Sequence, residues 1–319
     1  MPSTAILAAD EITRLREEHY NADVVDFIEV HDDLRMLRIH PDWGTTSFLP
    51  GQYTVLGLGN WEPRVAEVDE EHLSDRQLGK LLKRAYSFSS PVLDERGHLV
   101  PPTFGDYLEF YIVLIRHGEE KPPGLTPRLF ALSPGDRLFM GSKVTGHYTL
   151  EAVRQTDQLV FVATGTGEAP HNAMIAELLS IGHQEPIVSV VCSRRRRDLG
   201  YEQTHRELER LYPNFRYLTL TTREPENADQ RLPNFVGKRY LQEFFESGDF
   251  ERASGLTLNP DRTHVFLCGN PDIIGAPPRG ENGASSDPPL KGMVEVLQRR
   301  GFIADEKKRP GNIHFEKYW

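Results

Sequence analysis

At about Thr156 the apolar pattern of the chain changes period, and no other feature of its 319 residues constrains the fold as strongly. Upstream, from Asp23 onward, short runs of strand texture at residues 24–30, 34–40, 53–58, 107–115 and 137–140 are separated by Gly, Pro and Asp turn signals. Closely spaced strands without long helices predict an antiparallel β-barrel. Downstream, buried-strand runs alternate with helical spacing: 159–163 then 169–181, 187–191 then 203–211, 217–221 then 239–246, and 264–268 then 290–299. Right-handed crossovers turn such units into a parallel sheet covered by helices. The expected organisation is a lead-in helix within residues 1–22, outside the main domains, then a barrel domain over 23–155 and an α/β parallel-sheet domain over 156–319. Two polar excursions, 60–80 and 94–106, read as surface insertions, and the Gly/Pro/Ser-rich stretch 275–289 reads as a long loop.

Composition narrows the classes of function. With 38% hydrophobic and 26% charged residues the chain has the make-up of packed domains and not of a disordered segment. No run approaches the roughly 20 apolar residues of a membrane helix, and residues 1–10 lack a basic flank followed by a long apolar stretch, so neither stable membrane insertion nor a secretory leader is expected. The expected location is cytoplasmic. Two cysteines, Cys192 and Cys268, cannot build a disulfide framework or a site of several thiolates, which suits a reducing compartment. A net charge of -10 argues against a general nucleic-acid binder. The 12 histidines are scattered without ligand spacing, and no metal site is expected.

Three short segments carry chemistry. In Arg84-Ala85-Tyr86-Ser87 the arginine can fork onto a pyrophosphate, the tyrosine can stack on a flat ring, and the serine can donate to a ring nitrogen, as a bound flavin requires. Taken alone, the tetrapeptide equally describes an ordinary strand end. Gly165-Thr166-Gly167-Glu168-Ala169-Pro170 follows the first parallel strand and opens a helix, where free N–H groups and the helix dipole favour phosphate. Its third glycine position is Pro170, and no acidic residue ends the second parallel strand to hold a ribose 2′-hydroxyl. Ser193 and the run Arg194 to Arg197 stand there instead, a set that favours a 2′-phosphate or, in isolation, makes a solvated basic loop. The last parallel strand ends in Cys268-Gly269-Asn270-Pro271, at the carboxyl edge where ligands collect. A lone buried core cysteine is the other reading of Cys268.

In this order, these segments resemble the bacterial type of the ferredoxin-NADP reductase family. Its arginine-x-tyrosine-serine, glycine-threonine-glycine-x-alanine-proline and cysteine-glycine-x-proline motifs match residues 84–87, 165–170 and 268–271, and its aromatic end matches Lys317-Tyr318-Trp319. The resemblance covers nearly everything after Asp23. It implies an enzyme that passes a hydride from NADPH onto FAD and single electrons to ferredoxin or flavodoxin. It places Arg84, Ala85, Tyr86 and Ser87 along the FAD pyrophosphate, ribityl chain, ring and N5 region, with Tyr111, Ile112, Val113, Gly124, Leu125 and Thr126 completing the flavin site. Thr164, Gly165, Thr166, Gly167, Gly269, Asn270 and Pro271 then border the nicotinamide dinucleotide. Ser193, Arg194 and Arg223 match positions that clamp the NADP 2′-phosphate, and Lys238 falls where the family often has another arginine. Cys268 lies near the nicotinamide, while Tyr318 and Trp319 close over the flavin.

Glu168 and His171 depart from the apolar and aromatic residues usual in the family, which implies a reshaped nicotinamide pocket. Phe315 stands where relatives often have a small residue facing the flavin, which implies gated nicotinamide access. Nicotinamides move two electrons and iron-sulfur proteins one, so FAD mediates between them. The chemistry then rests on Ser87, Cys268 and Glu316, the last either a proton relay to N5 or an exposed glutamate near a loose end. Because ferredoxins are acidic and this chain is acidic overall, docking of a monomeric reductase calls for local cations such as Lys307, Lys308 and Arg309. A reductase serving an oxygenase, a haem protein or free flavin is an alternative, and a non-catalytic dinucleotide-binding redox sensor is an alternative of another class.

Overall fold

The alternating strands of the first half close on themselves. In the computed structural model, which describes residues 7–44, 46–103, 105–275, 292–306 and 309–318, a first unit comprises Met1–Ser90 and Thr103–His147. Its strands are β1 (Ala22–His31), β2 (Leu34–Pro41), β3 (Tyr53–Gly59), β4 (Leu81–Ser87), β5 (Leu108–Val113) and β6 (Arg137–Met140), in the order β4-β3-β6-β1-β2-β5. The neighbours pair antiparallel. The two edges meet through a bridge in which Ser89 N–H donates to the Glu109 carbonyl at 2.8 Å, so the sheet closes as a barrel. Its interior is apolar, with Ile39, Leu56, Phe110 and Met140 buried and Phe48 stacked on Phe88 at 4.3 Å between centroids. Strand β4 was absent from the strand-textured runs, although its end was one reading of residues 84–87, because Lys83, Arg84 and Ala85 are exposed and break the apolar alternation.

The lead-in helix α1 (Ala9–His19) belongs to this unit and is not outside it. An isolated helix of this length is marginal in water and needs a packed face. Leu15 and Tyr20 are buried, and Arg16 grips the buried Glu62 carboxylate through Nε at 2.8 Å and Nη2 at 2.5 Å. The Tyr20 hydroxyl donates to the same carboxylate at 2.8 Å. Glu62 lies in the 60–80 excursion, which is therefore tied down and carries the short helix α2 (Asp75–Leu78). Its Glu71 meets the buried Arg128 at 2.7 Å, on helix α3 (Leu125–Leu129).

The second unit comprises Pro91–Pro102 and Tyr148–Trp319. Strands β7 (Gln158–Thr164), β8 (Ile187–Ser193), β9 (Phe215–Thr221), β10 (Thr263–Gly269) and β11 (Ile313–Lys317) form an all-parallel sheet in the order β11-β10-β7-β8-β9. Both faces are covered, which explains the nearly continuous apolar strands. One face packs Val160, Val162, Val190 and Leu267 with helices α7 (Leu241–Glu246), α8 (Asp249–Ser254) and α10 (Met293–Arg299). The other packs Leu159, Phe161, Val191 and Phe266 with α4 (Glu168–Ser180) and α5 (Glu202–Leu211). Two short helices, α6 (Pro225–Ala228) and α9 (Pro271–Ile274), follow β9 and β10.

Three expectations change here. The second excursion is not a surface insertion throughout: its Leu99 packs on the core of this second unit and bridges to Leu93, just ahead of the excursion and beside the fully buried Val92. The longer segment of this unit also starts at Tyr148, ahead of the period change, because that ring is buried in the same core. Finally, the aromatic end is a strand: β11 runs parallel to β10 from Ile313 opposite Val265 to Lys317 opposite Gly269. The expected loop 275–289 falls almost wholly outside the described residues, as do Lys307, Lys308 and Trp319.

Candidate functional site

On the barrel, antiparallel pairing of β4 with β3 sets Ser87 opposite Tyr53 and Arg84 opposite Leu56. Strand alternation puts Arg84 and Tyr86 on one face, and Ala85 and Ser87 on the other. Arg84 and Ala85 are exposed, Tyr86 is half-buried and Ser87 is buried. Burial pushes the Tyr86 hydroxyl above its usual value against the pull of Arg84, so it stays protonated. The Arg84 guanidinium donates to the Lys83 carbonyl at 2.8 Å and makes no ion pair among the described residues. A Cβ at Gly124 would stand 2.8 Å from Leu82 Cδ1. The start of α3 is thus pressed against β4 beside a residue that shares the face of Arg84. Leu125 is buried, and Thr126 Oγ1 accepts the Ile115 N–H at 3.2 Å, which fixes that turn. Tyr111 and Ile112 are buried on β5, while Val113 is exposed.

On the parallel sheet the carboxyl ends of β7 and β10 are interlocked. A Cβ at Gly167 would lie 2.3 Å from the Cys268 carbonyl oxygen, and one at Gly269 would lie 2.2 Å from Thr164 Oγ1. Thr164 Oγ1 also accepts the Asn270 N–H at 2.8 Å, and the Tyr318 N–H donates to the Gly269 carbonyl at 2.9 Å. The backbone at Gly167 therefore rests directly on the end of β10, ahead of Pro271. Cys268 is fully buried, and burial with the nearby Glu316 charge pushes its thiol well above the usual value, although the Tyr318 side chain and the Gly269 backbone pull the other way. The thiol is a protonated, apolar-like wall and not a nucleophile.

At the ends of β8 and β9 the basic residues converge. Ser193 is buried and its hydroxyl donates to the Arg195 carbonyl at 2.7 Å. The Arg223 N–H donates to the Arg194 carbonyl at 2.8 Å, holding the two arginines side by side. Asn227 Nδ2 donates to the Gly237 carbonyl at 3.0 Å and so anchors the loop that carries Lys238. Arg194, Arg223 and Lys238 are exposed and make no ion pair among the described residues, as a site for an anion requires.

Several residues sit differently from expectation. Phe315 packs against the Val160 and Leu267 side of the core, and Glu316 is half-buried in register with Cys268, so the order of this end comes from strand pairing. Glu168 and His171 are both buried on α4 itself. Sequence reasoning missed their partners. The Tyr148 hydroxyl meets His171 Nε2 at 2.7 Å, His205 Nε2 lies 3.2 Å from Glu168 Oε1 and 2.9 Å from Asn172 Oδ1, and the Tyr217 hydroxyl donates to Glu168 Oε1 at 3.1 Å. Burial drives His171 down to about 3, so its ring is neutral. A polar residue on the inward face of a helix was the only local signal. Among the described residues no group of three or more His, Cys, Asp or Glu is placed to hold a metal ion, and no helix is long and apolar enough to cross a membrane.

A closed antiparallel barrel joined to a parallel sheet, with a glycine turn and a cation cluster at its carboxyl edge, defines a dinucleotide oxidoreductase of the two-domain flavin type. Residues 161–277 match the family described as Oxidoreductase NAD-binding domain. A flavodoxin/ferredoxin–NADP reductase of Shigella flexneri is 31% identical over 246 residues, covering 76% of this chain and 82% of that protein. The reductase of the same name from Escherichia coli (strain K12) is 30% identical over 246 residues, with the same coverage of both chains. A solved ferredoxin NADP+ reductase from Neisseria gonorrhoeae with bound FAD and NADP shares the fold, with a TM-score of 0.67 at 18% identity over 94% of this chain and 99% of that one. The chain belongs to the flavodoxin/ferredoxin–NADP reductase family.

Proposed function

We propose that this chain binds FAD and NADPH and moves electrons between NADPH and ferredoxin or flavodoxin. The observation that carries the reading is the cation set Arg194, Arg223 and Lys238 at the ends of β8 and β9, which makes no ion pair among the described residues, beyond a turn whose Gly167 leaves no room for a side chain. It is supported by the relatives, which are named for this activity. Flavin, when bound, accepts a hydride and releases electrons singly, the chemistry no side chain here supplies.

The residues fit such a cofactor. In this reading Arg84, which makes no ion pair among the described residues, neutralises the FAD pyrophosphate, and Gly124, Leu125 and Thr126 lie along the same phosphates. Tyr86 and Tyr111 flank the flavin, and Ser87 directs its hydroxyl to the N5 region. Gly165, Thr166 and Gly167 receive the dinucleotide phosphates, with Ser193, Arg194, Arg223 and Lys238 on the 2′-phosphate. The protonated Cys268 thiol excludes water beside the nicotinamide, and Glu316 moves a proton at the flavin edge. In this reading the enzyme acts as a cytoplasmic monomer, for which the free thiols of Cys192 and Cys268 suit a reducing compartment.

Anaerobic titration of the purified protein with NADPH, followed by oxidised-flavin absorbance, tests the reading. Bleaching, then reoxidation by ferredoxin or flavodoxin, is expected. Flavin that binds but never bleaches would establish a redox sensor instead, and bleaching without transfer to either carrier would redirect the search to an oxygenase or haem protein.

A further inference from the structure

The 60–80 excursion is bonded along its length to residues 116–128 of the same unit. At its base the Asn60 N–H donates to the Lys80 carbonyl at 2.9 Å and Asn60 Nδ2 donates to the Gln77 carbonyl at 2.8 Å, so the excursion closes on itself. Further along, the Asp69 N–H donates to the Arg116 carbonyl at 2.9 Å, and Asp69 Oδ2 accepts the Gly118 N–H at 2.8 Å.

Between these ends two arginines tie the excursion to the turn ahead of α3. Arg64, on the excursion, donates through Nη2 to the Pro123 carbonyl at 2.8 Å. Arg128, on α3 and 2% exposed, donates through Nη1 to the Gly124 carbonyl at 2.7 Å. Its Nη2 reaches back to the excursion, to the Asn60 carbonyl at 2.9 Å and Glu71 Oε2 at 2.7 Å. A guanidinium keeps its charge at any depth, so a buried one needs such acceptors. A Cβ at Gly124 would stand 2.8 Å from Leu82 Cδ1 and 3.4 Å from Glu71 Oε1, so the turn is held between β4 and the excursion.

The consequence is directional. A carbonyl oxygen is the negative end of its peptide and opposes a phosphate. In a trans peptide the carbonyl and the N–H that follows it point opposite ways. With the Pro123 and Gly124 carbonyls drawn onto guanidinium groups, the Gly124 and Leu125 N–H groups are turned away from the arginines. Released from them, either peptide plane is free to rotate and present its oxygen instead.

We propose that the 60–80 excursion is a strap that fixes the peptides at 123–125 in the orientation that receives the FAD pyrophosphate, with Arg64, Glu71 and Arg128 as positioning residues that do not touch the cofactor. The inference rests on the assignment of Gly124, Leu125 and Thr126 to the FAD phosphates.

The test uses the full chain and three readouts: the dissociation constant of FAD, the phosphorus NMR spectrum of bound FAD, and the melting temperature of the FAD-free protein. Arg64→Met and Arg128→Lys, the latter keeping the charge but losing the planar fork, are expected to weaken FAD by roughly three- to tenfold, the worth of one hydrogen bond, and to shift the phosphate resonances. Glu71→Ala does the same, while Glu71→Gln keeps an acceptor toward Arg128 and returns close to the parent. Should Arg128→Lys fail to fold, Arg64→Met carries the test from a side chain that is 16% exposed. The control is Arg137→Met, whose lost partners are Asp23, Asp42 and Tyr20; it lowers the melting temperature and leaves FAD affinity and the phosphate resonances unchanged. Arg84→Ala reports on the pyrophosphate directly. If Arg84→Ala moves the phosphate resonances while the strap variants match the parent, or lose FAD only as Arg137→Met does, the proposal is overturned and the site assignment stands. Phosphate resonances unmoved by Arg84→Ala, or a parent that binds no FAD, would remove the assignment and the inference together.

Discussion

Acid should loosen the second unit through His171, and the size of the effect follows from its burial. The imidazole, on α4 itself, is fully enclosed, bonded to the Tyr148 hydroxyl and tilted against Phe161 at 5.1 Å, and it holds out against protonation from its ordinary 6.5 down to about 3. In the unfolded chain the same ring takes its proton near 6.5. The unfolded state thus binds more protons throughout that window: the contribution to stability is complete above 6.5 and is lost progressively as pH falls toward 3. Lowering the pH from 7 to 5 removes about 2 kcal/mol, a figure that holds for any folded value well below 5. Urea unfolding at the two pH values measures it. His171→Phe keeps an aromatic ring but strands the Tyr148 hydroxyl, at a cost of about 1 to 3 kcal/mol at every pH. Tyr148→Phe combined with His171→Phe removes both partners. The double variant should lose about 2 kcal/mol less than the parent between the two pH values. Parallel losses in parent and double variant would show that His171 is not held neutral by burial, and that other groups account for acid sensitivity.

Other perturbations read other parts of the structure. Arg84→Ala should weaken FAD binding by about 1.5 to 3 kcal/mol, measured as flavin release on dilution, and full retention of flavin would remove Arg84 from the cofactor. Replacing Arg194 and Arg223 together with alanine should raise the Michaelis constant for NADPH far more than that for NADH; equal losses with both would misplace the 2′-phosphate. Gly167→Ala forces a methyl group into the Cys268 carbonyl, only 2.3 Å away in backbone that cannot step aside, and should cost about 1 to 3 kcal/mol and sharply reduce nucleotide affinity. Gly79→Ala, with open space around it, is the control and should be silent in both assays. Phe315→Ala should lower the melting temperature of the second unit by opening a gap against its core, and a faster reductase of unchanged stability would refute that placement.

Local pattern carried the sequence reading furthest. The period change near Thr156 separated barrel from parallel sheet because a half-buried strand and a doubly covered strand expose different numbers of apolar residues, a difference written along the chain itself. The glycine turn, the arginine run and the Cys268 strand end were legible because each depends on residues adjacent in sequence. Strand β4 was legible only at its end, since its exposed Lys83, Arg84 and Ala85 are held by hydrogen bonds to β3 that their side chains do not advertise. Strand β11 looked like an aromatic tail because its order comes from pairing with β10, about fifty residues earlier in the sequence. The grip of Arg16 on Glu62 and the enclosure of Glu168, His171 and His205 were likewise decided only in three dimensions. Whether a charged residue faces water or a buried partner depends on what distant segments bring against it, and burial and electrostatic compensation are properties of the assembled core, beyond the reach of any stretch of sequence read alone.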